Sequence, residues 1–149
     1  MDKEIDKICL KYNIKNYEIT SQGVNVRSLV RLAHRGLFEL PLDFNEIHGN
    51  FDCSDNKLRT LLGTPKIVHG NFNCENNNLK SLQGAPKFVQ GTFYCSGNEI
   101  PIWETRYLLF SEIHGRIYTG NLELNSFFEM YKNKKSLIPQ ALKELKNSF

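Results

Sequence analysis

The chain has 149 residues, a hydrophobic fraction of 40% and a formal net charge of +3 at pH 7. These values suit one compact domain with enough apolar residues for a core. No run of about 18 apolar residues is present, which argues against a membrane span. The stretch 49–100 holds five basic and four acidic residues, a balance that excludes a basic stripe for nucleic acid along it. We therefore expect a soluble, cytoplasmic protein.

Residues 1–23 are predicted to form an N-terminal helical cap. Ile5, Ile8, Cys9 and Tyr12 recur at the spacing of one helix face. A cap at this end would cover the apolar core and the strand edge that a stack of repeats leaves open.

Residues 24–100 are predicted to form stacked repeats, and three clear units share a period of 21 residues. The repeated columns are Gly49, Gly70 and Gly91; Phe51, Phe72 and Phe93; Cys53, Cys74 and Cys95; Asn56, Asn77 and Asn98; and Leu58, Leu79 and Ile100. A fixed period of about 20 to 29 residues with one strand per unit predicts a solenoid. The alternation of Phe and Cys with polar residues buries one face of a short strand. The Asn side chain is suited to satisfy backbone groups where the chain turns.

A degenerate unit precedes these three. Its apolar positions lie 21 residues before Phe51, Cys53, Leu58 and Leu61, at Val30, Leu32, Leu37 and Leu40. The asparagine position of this unit holds Arg35. We therefore expect the backbone of that turn to be satisfied in a different way.

Residues 101–149 are predicted to hold a final strand and a helical C-terminal cap. The segment EIHG at 112–115 repeats EIHG at 46–49, and Ile117 takes the Phe position after three inserted residues. Ser136 is predicted to cap a helix over 137–147, with Pro139 in its first turn. The predicted fold class is α+β: one domain over 1–149, a short leucine-rich-repeat-like solenoid with one strand per 21-residue repeat and helical caps at both ends.

The four cysteines are interpreted as reduced residues in the core. Thiols behave as small hydrophobes there, and three of the four follow the repeat. No second ligand type recurs beside them, and zinc motifs use shorter Cys-Cys spacings. We expect no metal site and no cofactor.

The outward positions of the predicted strands form a compact polar face. Amide and short hydroxyl groups suit a wet protein–protein contact, and tyrosine and arginine are common anchors of such contacts. The predicted protein-binding residues are Arg31, Asn50, Asp52, Asn71, Asn73, Thr92, Tyr94, Arg116 and Tyr118. The alternative is a solvated sheet face without a partner.

Two basic clusters suggest a second kind of partner, the phosphates of a nucleic acid or an acidic patch on a protein. They are Arg27 and Arg35 near the degenerate unit, and Lys132, Lys134 and Lys135 near the end of the chain. A solvated charge run is the commoner outcome of such clusters. Glycine-rich phosphate-binding motifs do not occur in the sequence.

A histidine column contains His48, His69 and His114, with Gln90 at the intervening step. Histidines on neighbouring strands would be close enough to share a metal ion or a proton. We interpret the column as surface histidines repeated by duplication. The last strand, near Arg116 and Tyr118, is a possible pairing edge for a homodimer.

The units GNFDCSDNKL, GNFNCENNNL and GTFYCSGNEI resemble the repeats of small leucine-rich-repeat-like proteins encoded by tailed bacteriophages and some bacteria. The opening KICLKYNIKNYEI resembles their leader, and RYLLFSEIHGRIYTGN and KSLIPQALKELK resemble their C-terminal cap. The chain departs from the family at VRLAHRGL. The resemblance implies a solenoid that acts inside a bacterial cell, and it implies no catalytic residue.

These observations predict a non-enzymatic protein-binding module. With the resemblance, we expect a phage-encoded viral protein that occludes a bacterial host protein, such as a defence or regulatory factor, in the host cytoplasm. The alternative is a nucleic-acid-associated protein that uses the two basic clusters. Hydrolysis by paired carboxylates is disfavoured, because no nucleophile or charge clamp accompanies Asp52 and Glu75.

Overall fold

The computed structural model describes residues 2–149 and shows five stacked turns of a β-solenoid between helical caps. This confirms the predicted α+β solenoid with helices at both ends. Met1, the first residue of the predicted N-terminal cap, lies outside the described residues.

Each turn of the solenoid contributes two short strands. In chain order the strands are β1 (Tyr17–Thr20), β2 (Gly23–Val26), β3 (Val30–Arg31), β4 (Phe44–Ile47), β5 (Phe51–Asp52), β6 (Ile67–Val68), β7 (Phe72–Asn73), β8 (Phe88–Val89), β9 (Phe93–Tyr94), β10 (Glu112–Ile113) and β11 (Ile117–Tyr118). They form a six-stranded sheet in the order β1-β2-β4-β6-β8-β10 and a five-stranded sheet in the order β3-β5-β7-β9-β11. Pairing is parallel throughout except between β1 and β2.

The prediction of one strand per repeat is therefore wrong, because each unit makes a second strand just before its glycine. The inward residues of these extra strands form a column of β-branched side chains, which favour extended backbone. All of them are fully buried: Val26, Ile47, Val68, Val89 and Ile113.

The strand register confirms the alignment of the repeats. Phe51 pairs with Phe72 and Phe72 with Phe93. The degenerate unit enters the same ladder at Val30, and the last turn enters it at Ile117. The three residues inserted before the last turn are thus absorbed outside the five-stranded sheet.

A stack of phenylalanine rings runs through the core. The ring centroids of Phe51 and Phe72 are 5.7 Å apart and those of Phe72 and Phe93 are 5.1 Å apart, and all three side chains are fully buried. The period of 21 residues places identical rings at the same point of successive turns. Each of these turns therefore gains the same stabilisation from ring burial and from dispersion contacts with the neighbouring ring.

Asparagines close the turn that follows each strand of the five-stranded sheet. Asn77 donates through Nδ2 to the carbonyl oxygens of Cys53, Cys74 and Glu75 at 3.0, 3.1 and 3.2 Å. Its Oδ1 accepts from the backbone N–H of Leu58 at 3.0 Å. Each asparagine thus serves its own turn and the turn before it.

This arrangement explains why the degenerate unit tolerates Arg35. The backbone N–H groups of Arg35 and Leu37 both donate to Oδ1 of Asn56, at 3.0 Å. Asn56 belongs to the next unit and also donates to the carbonyl oxygen of Leu32 at 2.8 Å, so the turn of the first unit is held by the asparagine of the second.

The glycine column allows neighbouring turns to approach closely at the corner between the two sheets. A Cβ atom at Gly70 would lie 2.7 Å from the backbone nitrogen of Asn50, and one at Gly91 would lie 2.9 Å from the carbonyl oxygen of Gly70. Real Cβ contacts are longer than this. Glycine is therefore required at these positions, because any side chain would clash with the neighbouring turn.

Helices cover both ends of the stack. Helix α1 (Lys3–Lys11) is capped by Asp2, and α2 (Leu122–Tyr131) is capped by Asn121. A 3₁₀ segment, Lys135–Leu137, leads into α3 (Ile138–Asn147) with Pro139 in its first turn.

Ser136 lies inside that 3₁₀ segment, and α3 has no side-chain cap, so the predicted Ser136 cap is wrong. Within the described chain every helix is too short or too polar to cross a membrane.

Candidate interaction surface

The outward side of the five-stranded sheet carries one side chain from each turn in a single register. We call this the outward row: Arg31, Asp52, Asn73, Tyr94 and Tyr118. Successive strands lie about 4.8 Å apart, so the row is about 19 Å long. Five of the predicted binding residues are thereby brought into one line.

The remaining four predicted binding residues form a second line at the corner between the sheets. We call it the corner row: Asn50, Asn71, Thr92 and Arg116. Oδ1 of Asn50 accepts from the backbone N–H of Asn71 at 2.8 Å, and Oδ1 of Asn71 accepts from that of Thr92 at 2.8 Å. Oγ1 of Thr92 accepts from the backbone N–H of Arg116 at 3.2 Å.

The corner row is therefore partly structural. Each carbonyl or hydroxyl oxygen in it holds the backbone of the next turn, and the Nδ2 groups of Asn50 and Asn71 have no such role in the described chain. A partner would meet amide donors here and few acceptors. The sequence did not reveal this polarity, because it does not show which end of an amide is already used.

The middle of the outward row is also tied to its own sheet. Oδ1 of Asp52 accepts from the backbone N–H of Ser54 at 3.0 Å and from its hydroxyl at 2.6 Å. Oδ1 of Asn73 accepts from the backbone N–H of Glu75 at 2.9 Å. The Ser96 hydroxyl donates to Glu75, and Ser54 is buried at 6% exposure. These contacts fix the polar side chains and lower the entropy that a partner would have to remove.

The ends of the outward row differ in chemistry. Tyr94 and Tyr118 lie side by side, with ring centroids 6.2 Å apart, and Tyr118 is 48% exposed. Arg116 is exposed beside them, and Arg31 is exposed at the opposite end. The face is thus cationic at one end and aromatic with a cation at the other.

The two basic clusters lie at opposite ends of the solenoid. Arg27 and Arg35 flank the first strand of the five-stranded sheet, and Arg35 lies over the Tyr12 ring of the N-terminal cap, 5.7 Å from its centroid. Lys132, Lys134 and Lys135 follow α2 beyond the last turn. The structure does not bring these five residues together.

Two of the C-terminal lysines hold the backbone of the cap. Nζ of Lys132 donates to the carbonyl oxygen of Gly115 and pairs with Glu129 at 3.1 Å. Nζ of Lys134 donates to the carbonyl oxygen of Met130 at 2.6 Å. Their charges therefore support the end of the solenoid.

The edge at which we expected self-pairing is occupied at both ends of β11. Gly115 on one side accepts from Lys132. On the other side the backbone N–H of Thr119 donates to Oδ1 of Asn125 in α2 at 2.7 Å. At the six-stranded sheet, Asn133 accepts from the N–H of Ile113 at 2.9 Å and donates to its carbonyl oxygen at 2.8 Å. The side chain of Asn133 thus makes the hydrogen bonds to Ile113 that a further strand would make.

The cysteines are buried and unpaired. Burial, assisted by the charge of Glu75, raises the pKa of the Cys95 thiol to about 12. Burial also raises the pKa of Cys53 and Cys74. These thiols stay protonated at neutral pH and act as core residues.

The six-stranded sheet has an outward side that the sequence analysis did not consider. Its row contains Glu46, Ile67, Phe88 and Glu112 in one register. The histidine column runs along the adjoining corner. Nε2 of His69 lies 2.8 Å from Oε1 of Glu46, and Nε2 of His48 lies 3.4 Å from the same oxygen. The repeated EIHG segment was the available signal, because its Glu and His are two residues apart and share a face of a strand.

A comparison of the chain with protein-family models, with curated proteins and with solved structures finds no match.

Proposed function

We propose that this protein is a non-enzymatic binding module that recognises another protein through the outward row and the corner row. The observation that carries the proposal is the contrast between the two sides of one sheet. Inward, the ladder carries a buried apolar side chain at every turn, and it is phenylalanine in the three central ones: Val30, Phe51, Phe72, Phe93 and Ile117. Outward, the next residue of each strand changes its chemistry along the stack.

A scaffold alone does not require that variation. A solvated face would serve with any short polar residue, whereas recognition needs distinct groups at defined spacings. The paired rings of Tyr94 and Tyr118, with Arg116 beside them, supply residue types that contribute most to protein interfaces. The polar centre would supply hydrogen bonds, and Arg31 would set orientation through charge.

The expected interface is small. A strip about 19 Å long, widened by the corner row, fits the low end of specific interfaces, below about 1,200 Å² in total. The proposed action is occlusion: the module covers a surface that its partner needs. The resemblance of the repeats to phage-encoded proteins makes a bacterial host protein, a defence or regulatory factor in the host cytoplasm, the proposed class of partner.

Nucleic-acid binding is the second candidate. It draws on Arg27, Arg35 and the three C-terminal lysines, which form separate clusters at the two ends. Binding through phosphates needs several cations within one backbone track. The separation of the clusters therefore favours the protein partner.

The proposal is tested by capture from bacterial lysate, with and without nuclease treatment, at a low and a moderate salt concentration. The test variant is the double substitution Arg31→Glu with Tyr94→Ala. The matched control is Lys57→Glu with Phe38→Ala, which makes the same change in charge and also removes one aromatic ring. Lys57 lies over the Phe38 ring, 5.3 Å from its centroid, and both side chains are exposed, outside both rows.

We expect one protein to be recovered in stoichiometric amount, to resist nuclease and to survive moderate salt. It should be lost with the test variant and retained with the control. Recovery of nucleic acid alone, with a steep loss as salt rises, would favour the second candidate. Equal recovery with both variants would overturn the proposed surface.

A further inference from the structure

We propose that Glu46, His48 and His69 form a binding site for a divalent transition-metal ion of the zinc class. One ligand atom from each residue lies within 4.8 Å of the other two. The three residues come from two neighbouring turns, so a bound ion would join the second turn to the third. The proposal is independent of the protein-binding function.

One of the two separations from Glu46 matches what a metal needs, and the other is shorter, at hydrogen-bond distance. Zinc binds imidazole nitrogen and carboxylate oxygen at about 2.0 to 2.2 Å, which places tetrahedral ligand atoms about 3.3 to 3.6 Å apart. The two measured separations from Oε1 of Glu46 are 2.8 Å to Nε2 of His69 and 3.4 Å to Nε2 of His48. To admit the ion, the shorter separation must lengthen by about half an ångström, and the two stacked rings must rotate about their side-chain bonds so that both Nε2 atoms point at the ion.

The fold holds the three groups in place. The imidazole rings of His48 and His69 are stacked, with centroids 4.7 Å apart and planes 22° apart, and the Phe88 ring lies 6.0 Å beyond His69. Glu46 is only partly exposed, and its backbone N–H donates to Oδ1 of Asn25 at 3.2 Å. The ligands are therefore partly ordered before a metal binds, which lowers the entropic cost of binding.

The ligand types define the ion. Two imidazoles and one carboxylate suit Zn²⁺, Co²⁺, Ni²⁺ or Cu²⁺, whereas Mg²⁺ and Ca²⁺ prefer oxygen ligands alone. With neutral imidazoles the set carries one negative charge, which attracts a cation. Both histidines are well exposed, His48 at 48% and His69 at 39% of the side chain, so a fourth position faces solvent.

The chain contains its own control for this site. At the other end of the same column, Glu112 and His114 form an equivalent pair, with Nε2 3.3 Å from Oε1. This pair lies in the last turn, so no histidine follows it in the column, and the turn before it carries Gln90. One imidazole and one carboxylate make a weaker chelate, so the metal should select the first pair of turns.

The test is calorimetric titration of ZnCl₂ into the full chain, prepared without a polyhistidine tag and freed of metal by a chelator. We expect about one ion per chain. Because each ligand contributes a separate bond, His48→Ala and His69→Ala should each weaken binding at least about tenfold, and His114→Ala should leave it unchanged. Circular dichroism of each variant verifies that the fold is retained. A histidine-to-alanine variant that fails to fold is replaced by the glutamine variant at the same position.

Three outcomes would overturn the proposal: no binding, binding that His48→Ala leaves unchanged, or equal losses with His48→Ala and His114→Ala. Co²⁺ provides a second measurement, since thiolate ligands give an intense near-ultraviolet charge-transfer band. Such a band would assign the metal to cysteine and overturn the site. A visible Co²⁺ spectrum without that band, abolished by His69→Ala, would support it.

A gain-of-function variant tests the pairing of the histidines. In the first site the glutamate and one histidine share a turn and the second histidine follows one turn later, so the double substitution Phe88→Glu with Gln90→His reproduces that arrangement with His114. We expect the number of ions bound per chain to rise from about one to about two. A stoichiometry that stays at about one would contradict the claim that a stacked histidine pair with one glutamate is sufficient.

Discussion

The two sides of the five-stranded sheet obey different rules. The inward side carries a buried apolar residue at each turn, and in the three central turns it repeats a phenylalanine that stacks on the phenylalanine of the next turn. The outward side follows the same backbone but changes its side chain at nearly every step. The difference teaches that the interior determines the geometry of the stack and leaves the exterior free to vary. Substitutions on the inward side should therefore cost much more stability than substitutions on the outward side.

The largest effect is expected from Phe72→Ala. The Phe72 ring is fully buried between Phe51 and Phe93, and its removal leaves a cavity that the stacked turns cannot close. We expect a loss of about 4 kcal/mol in the free energy of unfolding, measured by urea denaturation. Phe38→Ala, at a ring that is 62% exposed, should cost less than about 0.5 kcal/mol. Similar losses for the two variants would contradict a ladder-based core.

Asn77→Ala should cost about 3 kcal/mol. It removes four hydrogen bonds and leaves backbone groups of two turns unsatisfied in a buried setting. The matched control is Asn78→Ala, which removes the same side chain one residue later, where it is exposed. We expect little change there. A cost shared equally between the two positions would mean that the asparagine column is not structural.

Gly91→Ala should cost about 2 kcal/mol, because the new Cβ atom meets Oδ1 of Asn71 and the carbonyl oxygen of Gly70. Combining it with Asn71→Ala removes one of these two contacts. The double variant should therefore lose less than the sum of the single losses, as a double-mutant cycle measures. Strict additivity would show that the corner row and the glycines are not in contact.

The buried thiols predict a loss of stability at alkaline pH. Their pKa values are raised in the folded chain, for Cys95 to about 12, so folding favours the protonated thiol. That contribution is complete below the pKa of an exposed thiol, about 8.5, and is lost as the pH rises toward the folded value. At about pH 9.5 we expect a loss on the order of 1 kcal/mol for each thiol. Cys95→Ala should flatten the decline relative to the unchanged chain; an identical slope would refute it.

The smallest effect is expected on the outward row. Arg31→Ala should change stability by less than about 0.5 kcal/mol, because the side chain is exposed. The next residue, Leu32, is fully buried, and Leu32→Ala should cost about 3 kcal/mol. Thermal unfolding of both variants gives the comparison directly. A large loss with Arg31→Ala would mean that the outward row also supports the fold.

Much of the fold follows from the sequence because the period is local and exact over three units. Identical residues 21 apart can meet only if successive turns stack, and the register at Phe51 and Phe72 confirms it. The second strand of each unit was not predicted. Its signal is weak, a two-residue strand with one inward β-branched residue such as Val68, and its sheet is set by hydrogen bonds to the neighbouring turns.

The candidate site could be predicted in outline only. Alternation along each strand assigns residues such as Arg31 and Tyr94 to the outward side without reference to tertiary structure. The sequence does not show how each polar group is already used, as with Oδ1 of Asn50 and Nζ of Lys132. Nor does it show that Glu46 reaches across to a histidine of the following turn, since that contact depends on stacking.

The asparagines that hydrogen-bond to the preceding turn also give the stack a direction, and they allow its length to change by whole units. Because Asn77 completes the backbone of the unit before it, any unit placed between two others meets the partners it requires, and only the ends need helices. Duplication of 21 residues within 49–100 would therefore lengthen the array by about 4.8 Å and add one exposed side chain to be varied. The number of units is then an evolutionary variable, and such a chain can change its length one turn at a time.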